Sequence, residues 1–340
     1  MNHILYRLPD DNMAHDVSCR QAVVLSDLSE IGRRAGYVFA PFDTKGIHPI
    51  LLFPPETEDT WSVADVHADL HIAYTDNADE SFAAYRKAFD ECMQRLQQGH
   101  VHKIVLSRTL RLQLSAALSP SALRELFVTA CQQYPHSFVA LVHPSKGSVW
   151  LIATPEVLLE SVSEGLHTMA LAATMSIEEA RGLKPEEWSD KNREEQHIVS
   201  EYIRHRLQSI GIQPSVSALQ TLTAGQIVHL CTHFTLPLPL HIGPLVQALH
   251  PTPAVCGHPS EQAASILATV EHHDRAYYAG FSGPVGLDCG THLYVTLRCM
   301  EMWGTSACLY AGGGLLPASI CAKEWTETLR KLKTMLHVLQ

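Results

Sequence analysis

Strand-type runs recur along almost the whole chain, and they constrain its fold more than any other sequence feature. Such apolar runs cover 37–42, 50–53, 103–114, 137–143, 148–153, 166–174, 226–236, 281–287, 292–302 and 306–311. Helical periodicity separates groups of them, at 79–99, 119–132, 187–210 and 320–338. Helices bunched between groups of strands, with a tight link through Gly304, predict an α+β fold of layers with mostly antiparallel sheets.

Charge and composition exclude several classes of protein. Lys plus Arg number 25 against 35 Asp plus Glu, a net charge of −10, so we predict no nucleic-acid partner. From Leu207 to Ser260 the chain has no Asp, Glu, Lys or Arg, but the prolines there rule out a membrane-spanning helix. The nine cysteines contain no C-x-x-C pair, and acidic residues follow the N-terminus closely. We therefore expect a soluble protein of the reducing cytoplasm, without a membrane anchor.

The last predicted helix carries a packing stripe and a polar sector. The stripe consists of Trp325, Leu329, Leu332 and Leu336. Glu324, Glu327 and Lys331 gather on another sector of the helix. This sector is either a solvated face with an ion pair between Glu327 and Lys331, or part of a binding site.

Glu195 is unusual because it lies in line with the apolar residues of helix 187–210. A carboxylate that faces inward must pair, become protonated or bind a cation. Arg206 is one structural partner on the same sector. The alternative is a hard-oxygen site with Glu327, which suits Mg²⁺ because this ion takes one or two carboxylates and keeps positions for water and substrate.

Other polar residues stand in apolar surroundings. Lys103 heads the strand 103–114, as either a snorkelling end or a buried lysine able to act as a base. Glu156 precedes an apolar run, and Arg298 lies in an apolar strand, where it needs a carboxylate partner. Gly312 opens a glycine triplet that ends the strand 306–311, which indicates either a tight turn or a close approach to an anion.

The order of the motifs is more specific than any one of them. The chain contains HKIVLSR, TPEVLL, ALAAT, SDKNREEQHIV, VHL, HPTPAVCGHP, EHHDRAYYAG, VTLRCMEM, LYAGGGLLPAS and EWTETLRK. In this order they resemble the chorismate-utilising enzymes, which include isochorismate synthase, salicylate synthase and the large subunits of anthranilate and aminodeoxychorismate synthases. The resemblance covers 80–338, whereas 1–75 matches poorly and is expected to form a divergent N-terminal part of the sheet layer.

The resemblance implies one domain over 1–340 with two stacked, mainly antiparallel β-sheets flanked by helices, similar to anthranilate synthase component I. It implies Lys103 as the general base that activates water and Glu156 as the general acid that protonates the departing hydroxyl. It implies one Mg²⁺ held by Glu195 and Glu327, with Glu324 beside them. The implied contacts to the substrate are Thr174, His229, Arg298, Gly312 and Lys331.

Two positions favour one activity within the family. The enzymes that form aminodeoxychorismate resemble this chain but carry a lysine at the position of Ala172. Because alanine has no amine, water is the expected nucleophile here. Ala254 stands where salicylate synthases commonly carry threonine. The resemblance therefore implies a Mg²⁺-dependent isochorismate synthase that acts on chorismate and feeds menaquinone or a catecholate siderophore. The alternatives are a salicylate synthase and a non-catalytic chorismate-binding relative.

The same resemblance sets expectations for assembly and for two departures. No glutamine amidotransferase subunit is expected because no ammonia is consumed, and we expect a monomer. Ala173 replaces the glycine of the family's A-G-T motif, and a positive φ there would cost about 1 kcal/mol. Phe281 and Ser282 are interpreted as an insertion that reshapes the rim of the site.

Overall fold

The computed structural model describes residues 1–66, 71–77, 81–224, 227–237 and 241–340. Its strands are β1 (Asn2–Arg7), β2 (Met13–Cys19), β3 (Val23–Leu25), β4 (Gly36–Ala40), β5 (Ile50–Phe53), β6 (Thr57–Ser62), β7 (Tyr74–Asn77), β8 (Lys103–Leu114), β9 (Phe138–His143), β10 (Val149–Thr154), β11 (Val157–Val162), β12 (Gly165–Ser176), β13 (Ser215–Val216), β14 (Gln220–Ala224), β15 (Ile227–Leu236), β16 (Gly257–His258), β17 (Phe281–Val285), β18 (His292–Val295), β19 (Cys299–Trp303) and β20 (Ser306–Leu315). Its α-helices are α1 (Phe82–Gln97), α2 (Pro120–Gln133), α3 (Ile177–Ala180), α4 (Asp190–Ser209), α5 (Ile242–Leu249), α6 (Ser260–Val270) and α7 (Cys321–Val338).

The strands form two sheets. The first has the order β16-β8-β20-β19-β10-β9-β1-β2-β6, and β7 also pairs with β8. The second has the order β13-β15-β12-β11-β18-β17-β4-β5-β3, and β14 also pairs with β15. All strand pairs between described residues run antiparallel. The predicted α+β fold with mainly antiparallel sheets is confirmed.

Alternating side chains make the sheets stack. In β9, Phe138, Ala140 and Val142 enter the core that joins the first sheet to β4, β12 and β17 of the second. Val139 and Leu141 point to the opposite face, where they pack with residues of α2 and α7. This alternation follows from the period of two in a strand. The first sheet is therefore covered on both faces, by the second sheet and by helices.

The first 62 residues add strands to both sheets. The strands β1, β2 and β6 extend the first sheet, while β3, β4 and β5 extend the second. Phe281 and Ser282 lie in β17, where they are fully buried and paired with β4 and β18. The expectation that they reshape the rim of a site is wrong, because both residues continue a regular ladder inside the sheet.

Several predicted boundaries agree with the structure, and one strand does not. The run 103–114 is β8, and the predicted hairpin is formed by β19 and β20, with Gly304 at φ 56°. The run 292–302 is two strands: β18 belongs to the second sheet and β19 to the first. The chain crosses between the sheets at 296–298, a step that apolar composition alone does not reveal. Of the predicted elements, residues 79, 80 and 226 lie outside the described ranges.

The face that α7 buries differs from the predicted stripe. Leu332 is buried as expected, but Leu329 is 39% exposed. Glu324 and Thr328 are buried instead, at the start of the helix. The polar end of this buried face lies over the glycines of β20, where small residues leave room for a carboxylate. No helix in the described parts of the chain has the length and apolarity to cross a membrane.

Candidate active site

A cavity lies where β12 and β15 of the second sheet face β20 and α7 of the first layer. The predicted site residues in its wall are Glu156, Thr174, Glu195, His229, Arg298, Gly312 and Lys331. Lys103 and Glu327 are joined to this wall by ion pairs with Glu195 and Lys331, and Glu324 lies over Gly313, between two glycines of the wall. The structure thus brings the predicted residues to one place.

Lys103 and Glu195 form a buried ion pair. The Nζ atom of Lys103 lies 3.2 Å from Oε1 of Glu195, and the lysine is fully buried. Arg206, the alternative partner, donates from Nε to the carbonyl of Ala248 instead. Gly314 makes the pair possible, because a Cβ there would lie 2.1 Å from Oε1 of Glu195. A glycine at this position of β20 therefore lets the carboxylate of Glu195 approach the strand.

Burial affects the two members of this pair differently. Desolvation lowers the pKa of Lys103 even though Glu195 and Glu156 favour its charged form. Desolvation opposes ionisation of Glu195, but the ammonium groups of Lys103, Lys191 and Lys331 outweigh it and lower its pKa. Glu195 is thus ionised at neutral pH, while Lys103 releases its proton more readily than an exposed lysine.

Glu156 has the opposite character. It lies between β10 and β11, its backbone N–H donates to Oγ1 of Thr154 at 3.3 Å, and only 4% of the residue is exposed. Burial raises the pKa of its carboxyl to about 7, against the opposing effect of Arg298, Lys103 and Lys331. A carboxyl with this pKa carries a proton for much of the time near neutral pH.

Arg298 and His229 form a chain of hydrogen bonds across the cavity. Arg298 has a φ of 46° in the crossover from β18 to β19, not in the strand predicted for it, and Nη2 donates to Nε2 of His229 at 3.2 Å. His229 Nδ1 lies 2.9 Å from the carbonyl oxygen of Ala173 and 3.2 Å from Oγ1 of Thr174. Burial, with Arg298 nearby, lowers the pKa of His229 well below its ordinary value. The imidazole is therefore neutral, and these partners assign its proton to Nδ1.

A β-bulge positions the end of this series of hydrogen bonds. The register between β12 and β15 shifts between Ala172 and Thr174, and Ala173 has a φ of 61°. A left-handed conformation is strained for a residue with a Cβ. Ala173 therefore carries a methyl group in a conformation that favours glycine.

The predicted acidic sector of α7 is not a solvated face. Glu324 is 2% exposed, and its Oε1 accepts a hydrogen bond of 2.7 Å from Lys191 of α4. Glu327 forms the predicted ion pair with Lys331, at 2.7 Å, and Lys331 also donates to the carbonyl of Gly312 at 2.8 Å. Burial raises the pKa of Glu324; Lys191 opposes this rise, while Glu327 and Glu195 add to it. This sector is part of the site.

The acidic residues carry the oxygen donors that a hard divalent cation prefers. Their donors are carboxylate oxygens, and Oε2 of Glu324 is buried without a hydrogen-bond partner. Gly313 leaves that oxygen room, since a Cβ there would lie 3.3 Å from it. Within the described ranges, no group of three or more His, Cys, Asp or Glu side chains is arranged to hold a metal. The donors suit an ion that takes one or two carboxylates and fills its other positions with water and substrate.

Sequence reasoning missed three residues of the site. Lys191 lies one helical turn before Glu195, a spacing that places both on one face of α4. Tyr278 and Tyr310 line the cavity with stacked rings whose centroids are 5.3 Å apart. Both tyrosines stand inside quoted motifs, yet no spacing rule assigns an aromatic residue to a cavity between sheets.

Comparison with known proteins identifies the family of this chain. The model of a family described as chorismate binding enzyme matches residues 58–340. The chain belongs to this family. It is 32% identical over 246 residues to isochorismate synthase EntC of Escherichia coli strain K12, a match covering 70% of this chain and 62% of that protein. The chain thus spans less than two thirds of that relative's length.

Solved structures support the fold. MenF, the menaquinone-specific isochorismate synthase from Escherichia coli, superposes with a TM-score of 0.82 at 21% identity, over 100% of this chain and 89% of that one. Anthranilate synthase component I from Streptococcus pneumoniae gives a TM-score of 0.69 at 16% identity, over 90% and 80%. At these identities the likeness concerns the fold alone, and it confirms the predicted fold class.

Proposed function

We propose that this chain is an isochorismate synthase, which adds water at ring carbon 2 of chorismate while the hydroxyl on carbon 4 leaves. The observation that carries the proposal is that Lys103 and Glu156 lie beside the same cavity with opposite shifts in pKa. Both are buried beside one cavity, and burial lowers the pKa of the lysine and raises that of the glutamate to about 7. Two groups whose pKa values are shifted toward neutral pH, one from above and one from below, are suited to act as base and acid in one reaction.

The proton balance of the reaction assigns a role to each group. Neutral Lys103 takes a proton from the attacking water as the oxygen bonds to carbon 2. Protonated Glu156 gives its proton to the hydroxyl that leaves carbon 4, while the ring double bonds shift between the two carbons. One water enters and one leaves, so the net reaction is an isomerisation, and solvent returns the proton from Lys103 to Glu156.

Cationic side chains in the cavity wall match a dicarboxylate substrate. Arg298 and Lys331 both line the cavity, and neutral His229 with Thr174 adds polar contacts for ring oxygens. Holding both ends of the substrate fixes its reacting carbons relative to the acid and the base. Mg²⁺, held by Glu195 and Glu327 with Glu324 beside them, would supply neutralisation and orientation of one substrate carboxylate when bound.

Two small residues support isochorismate as the product. Ala172 and Ala254 both line the cavity. No amine stands at position 172, so water is the available nucleophile. Position 254 lacks the threonine common in salicylate synthases. The product would feed menaquinone or a catecholate siderophore.

The test is product analysis after incubation with chorismate and Mg²⁺. We expect isochorismate as the chromatographic product, with no release of pyruvate. Salicylate together with pyruvate, or an aminated product, would contradict the proposal. Stabilisation of the protein by chorismate without any turnover would instead identify a binding protein that retains the cleft.

A further inference from the structure

Lys191 faces the acidic cluster, which is defined here as Glu195, Glu324 and Glu327. Its Nζ donates to Oε1 of Glu324 at 2.7 Å, and all three carboxylates favour its charged form. It lies four residues before Glu195, on the same face of α4. One ammonium group therefore stands where the electrostatic attraction of three carboxylates converges.

Each member of the acidic cluster forms an ion pair with a lysine. Glu195 pairs with Lys103, Glu324 with Lys191, and Glu327 with Lys331. Each carboxylate of the acidic cluster thus faces one lysine in a largely buried space. A divalent cation added to this balance leaves excess positive charge in a medium where unbalanced charge is costly, unless an ammonium group moves away.

The three lysines differ in their freedom to move. Lys103 is fully buried and packs against Gly314, and Lys331 also donates a hydrogen bond to the carbonyl of Gly312. The side chain of Lys191 is 23% exposed, so it has a route to solvent. Its partner Glu324 keeps Oε2 free of hydrogen bonds. Lys191 is thus the lysine of the three best placed to leave.

We propose that Lys191 is the resident cation of the acidic cluster: its ammonium group holds Glu324 in the metal-free protein and leaves that carboxylate when a divalent cation binds. The inference deepens the metal site of the proposed function and rests on it. Lys191 lowers the affinity for the metal because the two cations compete, and it stabilises the metal-free fold because it neutralises a buried carboxylate.

The experiment is calorimetric titration of the full chain with Mg²⁺, without chorismate. Lys191→Met removes the charge and keeps most of the side-chain volume, so its Kd for Mg²⁺ should fall about ten-fold or more. Lys191→Arg keeps the charge and should stay near the wild-type value. Lys323→Met, at an exposed position of α7, is the matched control and should not change the Kd. An unchanged or weaker affinity in Lys191→Met would overturn the inference.

A second measurement uses the wild-type protein and does not depend on the folding of a variant. Reductive methylation of lysines, followed by mass spectrometry, should modify Lys191 at least about twice as fast with saturating Mg²⁺, while Lys323 keeps its rate. An equal rate at Lys191 with and without bound Mg²⁺ would refute its displacement. Absence of Mg²⁺ binding by the wild-type chain would refute the metal site itself, whereas isochorismate formation is tested separately by product analysis.

Discussion

Replacement of Glu156 by glutamine should stabilise the protein while it removes the proposed general acid. Glu156 is 4% exposed, and burial raises the pKa of its carboxyl from 4.5 to about 7. The buried site therefore favours the protonated, neutral carboxyl over the carboxylate. Glutamine has nearly the same shape and stays neutral at every pH, so it escapes the cost of a buried negative charge.

The size of this effect follows from proton linkage. Because the folded pKa of Glu156 exceeds its unfolded value, the contribution of this residue to the free energy of unfolding is fully present below pH 4.5 and is lost as the pH rises through 7. At 1.36 kcal/mol per pKa unit, the decline amounts to about 1 kcal/mol at pH 5 and about 3 kcal/mol at pH 8. The advantage of Glu156→Gln over wild type should therefore grow by about 2 kcal/mol between these two pH values.

Denaturant unfolding of both proteins at pH 5 and pH 8 measures this difference. Glu160→Gln is the matched control, because Glu160 on β11 accepts a hydrogen bond of 2.8 Å from His167. Burial opposes its ionisation, but the hydrogen bond from His167 and the imidazole of His292, 3.6 Å away, outweigh it and lower its pKa to about 2. This control should lose stability at both pH values. An advantage of Glu156→Gln that does not grow with pH would refute the raised pKa, and full isochorismate-forming activity in this variant would refute its role as the acid.

Two glycine positions provide further predictions. Ala173→Gly should raise the free energy of unfolding by about 1 kcal/mol, because Ala173 sits at φ 61°; denaturant unfolding would contradict this if the variant were less stable. Gly314→Ala should abolish the thermal stabilisation by Mg²⁺, because its Cβ would lie 2.1 Å from Oε1 of Glu195 and 3.0 Å from Cε of Lys103. A melting curve that still responds to Mg²⁺ in Gly314→Ala would count against Glu195 as a metal carboxylate.

Much of the fold is predictable from local pattern, because strands and helices leave periodic traces in the sequence. The run 103–114 is found with its full length, and the hairpin through Gly304 follows from its short, glycine-containing link. Glu195 stands out because a carboxylate on an apolar stripe breaks the period of its helix. The structure places it in a buried ion pair at the cavity, which accounts for that break.

Other parts of the site depend on contacts that no local pattern contains. The crossover at Arg298 interrupts an apolar run that suits either sheet, so only the stacking of the sheets decides where it breaks. The buried face of α7 begins with Glu324 because Gly313 leaves space beneath it. Lys191 acquires its partner from another helix, 133 residues away along the chain. Interactions of this kind arise from tertiary packing.

The central claim is that water attacks ring carbon 2 under general base catalysis while the carbon 4 hydroxyl departs. The most direct test is turnover of chorismate with Mg²⁺ in water enriched in ¹⁸O, followed by mass spectrometry of the product. One ¹⁸O atom is expected in isochorismate, located on carbon 2. Isochorismate without label would mean that the hydroxyl migrates within the substrate, and it would contradict the roles assigned to Lys103 and Glu156.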